Sequence, residues 1–183
     1  VCKSITEFDR FLIRQRQKNP KRVSFDIETR GGMLTHISFC FDQYEAISIP
    51  LCDESISRGE LALLWQRVAT VLNSNLEKSN QNIKYDWTIL ERHGFNIPNV
   101  LSDTMIKGSL LYPELPKGLD FYTSIYTPIS YYKDEGKVYE FQKFSPEKYA
   151  LYNAKDALAA DICATEMDKE LEEYPKLKNL YET

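Results

Sequence analysis

The 183-residue sequence predicts an α/β fold whose mixed sheet is flanked by helices, and three observations carry that expectation. Three apolar or alternating runs follow one another near the N-terminus, helical spacing dominates the later segments, and a long helical stretch closes the chain.

Taken in order, Ser4 followed by Glu7 is a capping-box pattern, and Phe8, Phe11 and Leu12 recur at helical spacing, so an entry helix is expected over 5–16. Asn19-Pro20 ends it. Residues 22–28, 33–41 and 44–50 read as strands separated by Gly31-Gly32 and Asp42-Gln43, which makes a three-strand antiparallel meander. From Arg58 to Asn73 a stripe of Leu61, Leu64, Trp65, Val68 and Leu72 predicts a crossover helix that packs on the sheet. Residues 78–82 are polar and lead through Ile83 and Tyr85, as a short strand or turn, into a helical pattern at 87–92 that breaks at Gly94 and Pro98. A strand is expected at 99–102, and Asp103 is placed to cap a helix over 104–111. Residues 113–144, rich in tyrosine and charge, read as a loop-rich insertion around a helix near 118–126, placed to cover a site. Ser145, followed by Pro146 at the first helical position, opens the closing helix, which runs toward Glu173.

Composition narrows the class. A chain of 43% hydrophobic and 27% charged residues, with 7 Gly and 8 Pro, is globular, and its length favours one domain spanning 1–183. No apolar run is long enough for a membrane span and no secretory pattern opens the chain, so the expectation is a soluble, unsecreted protein without a membrane partner. Cys2, Cys40, Cys52 and Cys163 are scattered without a Cys-x-x-Cys pair, which reads as reduced thiols rather than zinc ligands. A net charge of −4 argues against gripping long nucleic acid through bulk charge. It leaves open an enzyme whose acidic residues hold divalent metals, since bound cations reverse the local sign.

The chemistry lies in the carboxylates. In a strand, residues two apart share a face, so Asp26 and Glu28 present two anions side by side while Phe25 and Ile27 face the other way. Such a pair needs a proton or a cation, and hard divalent ions such as Mg²⁺ or Mn²⁺ take oxygen ligands. Alone, an Asp-x-Glu pair is commonly a solvated strand. Tyr152 and Asp156 stand four apart on one face of the closing helix, as do Asn82 and Asp86 near the start of a helical turn. Taken singly, each has a commoner structural reading as core edge or cap.

In combination, Asp-x-Glu in a strand, Asn-x-x-x-Asp in mid-chain and Tyr-x-x-x-Asp in a late helix resemble the three exonuclease motifs of the ribonuclease H-like proofreading family. The local text is similar too: Val23-Ser-Phe-Asp-Ile-Glu-Thr, Asn80-Gln-Asn-Ile-Lys-Tyr-Asp-Trp-Thr-Ile-Leu, Asp103-Thr-Met, Leu115-Pro-Lys-Gly-Leu-Asp-Phe, Tyr132-Lys-Asp-Glu-Gly-Lys and Tyr152-Asn-Ala-Lys-Asp-Ala. These look like exonuclease domains of family A DNA polymerases, with phage-like members nearest, and span nearly the whole chain.

The resemblance implies a ribonuclease H-like mixed sheet, the meander joined to parallel strands. It also implies a 3′→5′ exodeoxyribonuclease that proofreads replication with two divalent ions, Mg²⁺ or Mn²⁺. Asp26, Glu28 and Asp156 would hold one ion, Asp26 would bridge to the second, and Asp86 would hold that one partly through water. Tyr152 would orient the attacking water, which is the tyrosine subclass; His36 and His93 lie far from the last motif in sequence. Asn82 would contact the substrate strand and Thr29 would offer backbone contacts near its 3′ hydroxyl. The partners implied are a single-stranded DNA 3′ end and a polymerase domain in cis or trans, and the location a cytoplasm, the host's for a phage protein. No polymerase motif follows within 183 residues and Val1 stands without an initiator Met, so an excised domain is expected.

The family's apolar wedge after the first motif has no clear counterpart, because Gly31-Gly32 makes a very short turn; Met33 or Leu34 would have to serve. Trp87, Phe121 and the tyrosines of 122–139 are either base-stacking groups or core. Lys84, Lys117, Lys133 and Lys137 are either phosphate contacts or, more simply, solvated lysines. Two rival readings remain: an RNA 3′ exonuclease of ribonuclease D type, and an inactive scaffold domain of a polymerase. The complete carboxylate set speaks against the scaffold.

Overall fold

The computed structural model describes residues 2–134 and 145–183. The meander forms as expected: β1 (Arg22–Arg30), β2 (Met33–Cys40) and β3 (Ala46–Pro50) pair antiparallel. Gly31 and Gly32 both take positive φ, +57° and +81°, which is the two-residue turn whose twist matches a hairpin and which side chains resist. β4 (Glu77–Asn80) and β5 (Val100–Asp103) then add in parallel, giving the order β3-β2-β1-β4-β5. The α/β class and the mixed sheet read from the sequence are what the molecule has.

α1 (Ile5–Gln17) is capped as its sequence suggests, with the Ser4 hydroxyl accepting from Glu7 N at 3.2 Å. It shares one side of the sheet with α2 (Arg58–Leu72) and α3 (Ile83–Arg92). There Phe8, Phe11, Leu64, Val68 and Leu90 join Val23, Phe25 and Ile27 in the main core. α4 (Thr104–Leu111) and α5 (Leu119–Tyr126) lie with α6 (Pro146–Glu172), the long closing helix, where Tyr122, Ala159, Ala160, Cys163 and Met167 form a second apolar cluster. Ala150, Ala157, Ala159, Ala160 and Ala164 are fully buried along α6, and their small side chains let the helix lie close to the sheet and to α5. A last helix, α7 (Pro175–Glu182), was not legible in the polar tail.

β4 departs furthest from apolar patterning, since Lys78, Ser79 and Asn80 are all buried. The Lys78 stem lies inside while its ammonium donates to the carbonyls of Ser74 and Leu76, so a lysine can sit in a central strand. α3 begins at Ile83, four residues before the segment that the helical pattern suggested. The four cysteines are unpaired, as expected. Among the described residues, no helix is long and apolar enough to cross a membrane.

Candidate active site

β1 lies at the middle of the sheet, and its alternation decides which side chains meet α6. Val23, Phe25 and Ile27 point into the main core, while Ser24, Asp26 and Glu28 face the closing helix. Each of the three finds a partner there as the helix runs back along the strand. Ser24 Oγ donates to Asp161 Oδ1 at 2.6 Å, Asn153 Nδ2 donates to Asp26 Oδ2 at 2.8 Å, and the Tyr149 hydroxyl donates to Glu28 Oε2 at 2.9 Å. Asp156, on the same face of α6, completes a group with Asp26 and Glu28 in which one oxygen from each lies within 4.8 Å of the others. Among the described residues this is the only such group.

Asp86 reaches the site differently. β1 pairs with β4 only over Arg22–Ser24, so the amide of Ile27 has lost its strand partner, and it donates instead to Asp86 Oδ2 at 3.3 Å. Asn80 Nδ2 donates to the same oxygen. The helix that carries Asp86 starts from Asn82 in the left-handed conformation, φ +56°, with no side-chain cap of its own. Asp103 takes over: its carboxylate accepts from the amides of Asn82 and Ile83, both at 3.0 Å, and also from Met105 N at 2.8 Å at the head of α4. Asp103 thus caps α4, as expected, and holds the start of α3 as well.

The four acids repel one another. Burial first, and then the charges of Asp156, Asp86 and Glu28, hold the Asp26 carboxyl well above the usual carboxylate range. Burial pushes Glu28 up to about 7 against the opposing hydrogen bond from Tyr149, and Asp86 up to about 7 against those from Asn80 and Ile27. Asp156 is raised by burial too, although Lys133 Nζ lies 2.7 Å from its Oδ2 and the Tyr132 hydroxyl donates to its Oδ1 at 2.6 Å. One ammonium cannot neutralise four carboxylates. A set of oxygen donors that raise one another's pKa in this way fits hard divalent cations, which remove the repulsion by ligation.

Tyr152 stands beside Asp156 with its hydroxyl directed at that carboxyl, and Lys133 Nζ lies 3.4 Å from the phenol oxygen. Burial, followed by the charges of Asp156, Glu28 and Asp26, raises its pKa, so the phenol stays protonated. Asn82 borders two adjoining grooves. One, of about 650 Å³, runs past Glu28, Tyr152 and Lys133; the other, of about 590 Å³, runs between the β1–β2 turn and α3 past Thr29, Lys84 and Arg92. Thr29 sits just beyond an irregularity in the β1–β2 register.

Leu34 does not join them. It is 2% exposed and packed in the main core, because the tight turn already returns the chain to the sheet at that residue; Met33, 63% exposed, is the apolar side chain left at the turn. Lys133, expected as a phosphate contact or a solvated lysine, is paired with Asp156, whereas Lys117 Nζ is tied to the carbonyl of Tyr112 at the end of α4. Tyr122 is wholly buried and Phe121 packs against it, so both are core; Trp87 is 37% exposed. Lys137 and Tyr139 lie outside the described residues. Sequence reasoning missed the donors Asn80, Tyr132, Tyr149 and Asn153. For the last two a signal was present, since Tyr149, Asn153 and Asp156 form an i, i+4, i+7 polar stripe on an alanine-rich helix.

A family model described as 3′-5′ exonuclease, of the DNA polymerase A type, matches residues 5–172. DNA polymerase I of Borreliella burgdorferi is 29% identical over 148 residues, covering 76% of this chain; the chain spans only 16% of that polymerase. Among solved structures, the catalytic core of RRP6 from Trypanosoma brucei superposes with a TM-score of 0.71 at 14% identity, over 98% of this chain and 48% of that one. Brucella melitensis NrnC with bound Mg²⁺ gives 0.62 at 18%, over 88% of this chain and 79% of the other. At these identities the structural likeness shows a shared fold.

Proposed function

Because this chain belongs to the 3′-5′ exonuclease family of the DNA polymerase A type, we propose that it hydrolyses the terminal phosphodiester at the 3′ end of single-stranded DNA, releasing nucleoside 5′-monophosphates. The observation that carries this reading is the convergence of Asp26, Glu28 and Asp156 from β1 and α6 on one small volume, with Tyr152 beside it.

Asp26, Glu28 and Asp156 would hold one divalent ion, Mg²⁺ or Mn²⁺, and Asp86 would help hold a second beside it. When bound, such ions stabilise the charge on the attacking and leaving oxygens of an in-line displacement. Tyr152, kept protonated, orients the attacking water through its hydroxyl and does not act as a base. Water adds to the terminal phosphorus and releases a proton to solvent, the bond to the neighbouring 3′ oxygen breaks, and that oxygen takes up a proton from solvent and leaves as a hydroxyl. Asn82, at the junction of the two grooves, contacts the substrate strand, and Thr29 lies along its path. Residues 1–183 act as one exonuclease unit that proofreads for a polymerase domain in cis or in trans; the likeness to a DNA polymerase I supports DNA as the substrate.

The test is digestion of 3′-labelled single strands of DNA and RNA with Mg²⁺ or Mn²⁺. Mononucleotide release from the DNA 3′ end is expected, and Asp26→Ala with Glu28→Ala should abolish it while the circular dichroism spectrum is retained. Activity in EDTA would defeat the metal-dependent reading, and preference for RNA would overturn the choice of substrate.

A further inference from the structure

We infer that Tyr149 is a positioning residue for the reaction, holding the Glu28 carboxylate in its metal-binding orientation. The inference rests on the exonuclease reading and adds a residue to it.

Two hydrogen bonds hold Glu28, one from α6 and one from β2, and a ring contact backs the first. The Tyr149 hydroxyl donates to Glu28 Oε2 at 2.9 Å from α6. The Thr35 hydroxyl donates to the Glu28 carbonyl at 3.0 Å from β2, which anchors the strand under the side chain. His36, the cross-strand partner of Glu28, is 5% exposed and meets the Tyr149 ring edge to face, with ring centroids 5.3 Å apart and planes at 79°. The histidine thus backs the phenol ring, and the ring in turn aims its hydroxyl at the glutamate. A glutamate side chain has three rotatable bonds, and an exposed one samples many rotamers. Here one carboxylate oxygen is tethered to a ring whose own position is set by packing.

The geometry separates Tyr149 from Tyr152, although they lie one helical turn apart and border the same groove. Tyr152 is directed at Asp156 and at the space beside it, whereas Tyr149 is directed at Glu28. One tyrosine addresses the reacting water and the other addresses a ligand. Partners of this kind behind metal ligands change metal affinity or activity by about 10–100-fold when removed.

The experiment compares wild type, Tyr149→Phe, Glu28→Ala and the double variant. Phenylalanine keeps the ring against His36 and removes only the hydroxyl, and thermal denaturation with EDTA present checks that the fold is kept. Titration with Mn²⁺, followed by the electron paramagnetic resonance signal of the free ion, should show binding weakened by about 10-fold in Tyr149→Phe. Single-strand DNA digestion should show kcat lowered by a similar factor with KM unchanged. In the Glu28→Ala background, Tyr149→Phe should change nothing further, because its effect passes through the missing carboxylate. Wild-type Mn²⁺ affinity and kcat in Tyr149→Phe would overturn the role, as would full additivity with Glu28→Ala. If the wild type binds Mn²⁺ but cleaves no 3′ end, the exonuclease reading fails and the Mn²⁺ titration alone decides: weakened binding upholds Tyr149 as the holder of Glu28, and equal binding removes it.

Discussion

The two arms of the site are built by different means. Asp26, Glu28 and Asp156 come from a central strand and a long helix, and donors from that same helix hold both strand carboxylates. Asp86 comes from a helix that starts at a left-handed residue and lacks its own side-chain cap, and it is fixed by an amide that β1 leaves unpaired. The first arm follows from regular periodicity. The second follows from the place where periodicity stops, because Ile27 N becomes available only where β4 parts from β1. On the proposed two-ion reading, the contrast predicts a stronger first ion site and a weaker second one.

The largest expected effect tests that ranking. Asp156→Asn should remove the first site, abolishing tight Mn²⁺ binding and lowering cleavage by about 1,000-fold, a loss of roughly 4 kcal/mol. Asp86→Asn should also cripple cleavage yet leave one Mn²⁺ bound per chain in equilibrium dialysis. Loss of both ions in Asp86→Asn would show that the arms are not independent.

Next in size is a dependence of stability on pH in the metal-free chain. Glu28 and Asp86 titrate near 7 in the fold, above their ordinary values of 4.5 and 3.8, so between those limits the folded state binds more protons than the unfolded one. Their contribution is therefore fully present below about pH 4 and is lost as pH rises through 7, on the order of a few kcal/mol. Thermal denaturation in EDTA from pH 4.5 to 8 should show this fall, Mg²⁺ should reverse it at the upper end, and Glu28→Gln and Asp86→Asn should each flatten part of it. A slope unchanged in both variants would place its origin elsewhere. The smallest effect belongs to Asn80→Ala, which removes one donor from Asp86: a loss of about 10-fold in affinity for the second ion, with the first unaltered, as read by Mn²⁺ titration.

The same contrast explains what the sequence disclosed. β1, the hairpin, α4 and α6 were legible because alternation, a Gly-Gly turn, Asp103 as a cap and Ser145-Pro146 each dictate local structure. β4 was ambiguous because Lys78, Ser79 and Asn80 are polar and yet buried, their polar groups satisfied by the preceding loop, by β5 and by α3. Asp26 with Glu28, and Tyr152 with Asp156, stood out as pairs at strand and helix spacing. The link of Lys133 and Tyr132 to Asp156 did not, since it joins the segment after α5 to α6 across 23 and 24 residues. Leu34 was misjudged for a related reason: the count of residues after Glu28 was visible, but the inward turn of the strand after Gly32 depends on the register.

Asp103 sets limits on how this chain can be cut or rearranged. A single carboxylate seats the heads of two helices, one of which carries Asp86, although it follows Asn82 by 21 positions. A split protein or a circular permutant opened between 83 and 103 would place that carboxylate and the α3 amides it serves on opposite sides of the new ends. A break in the Gly31-Gly32 turn would leave them on one piece, and a designer dividing the molecule into two complementing fragments should open it there.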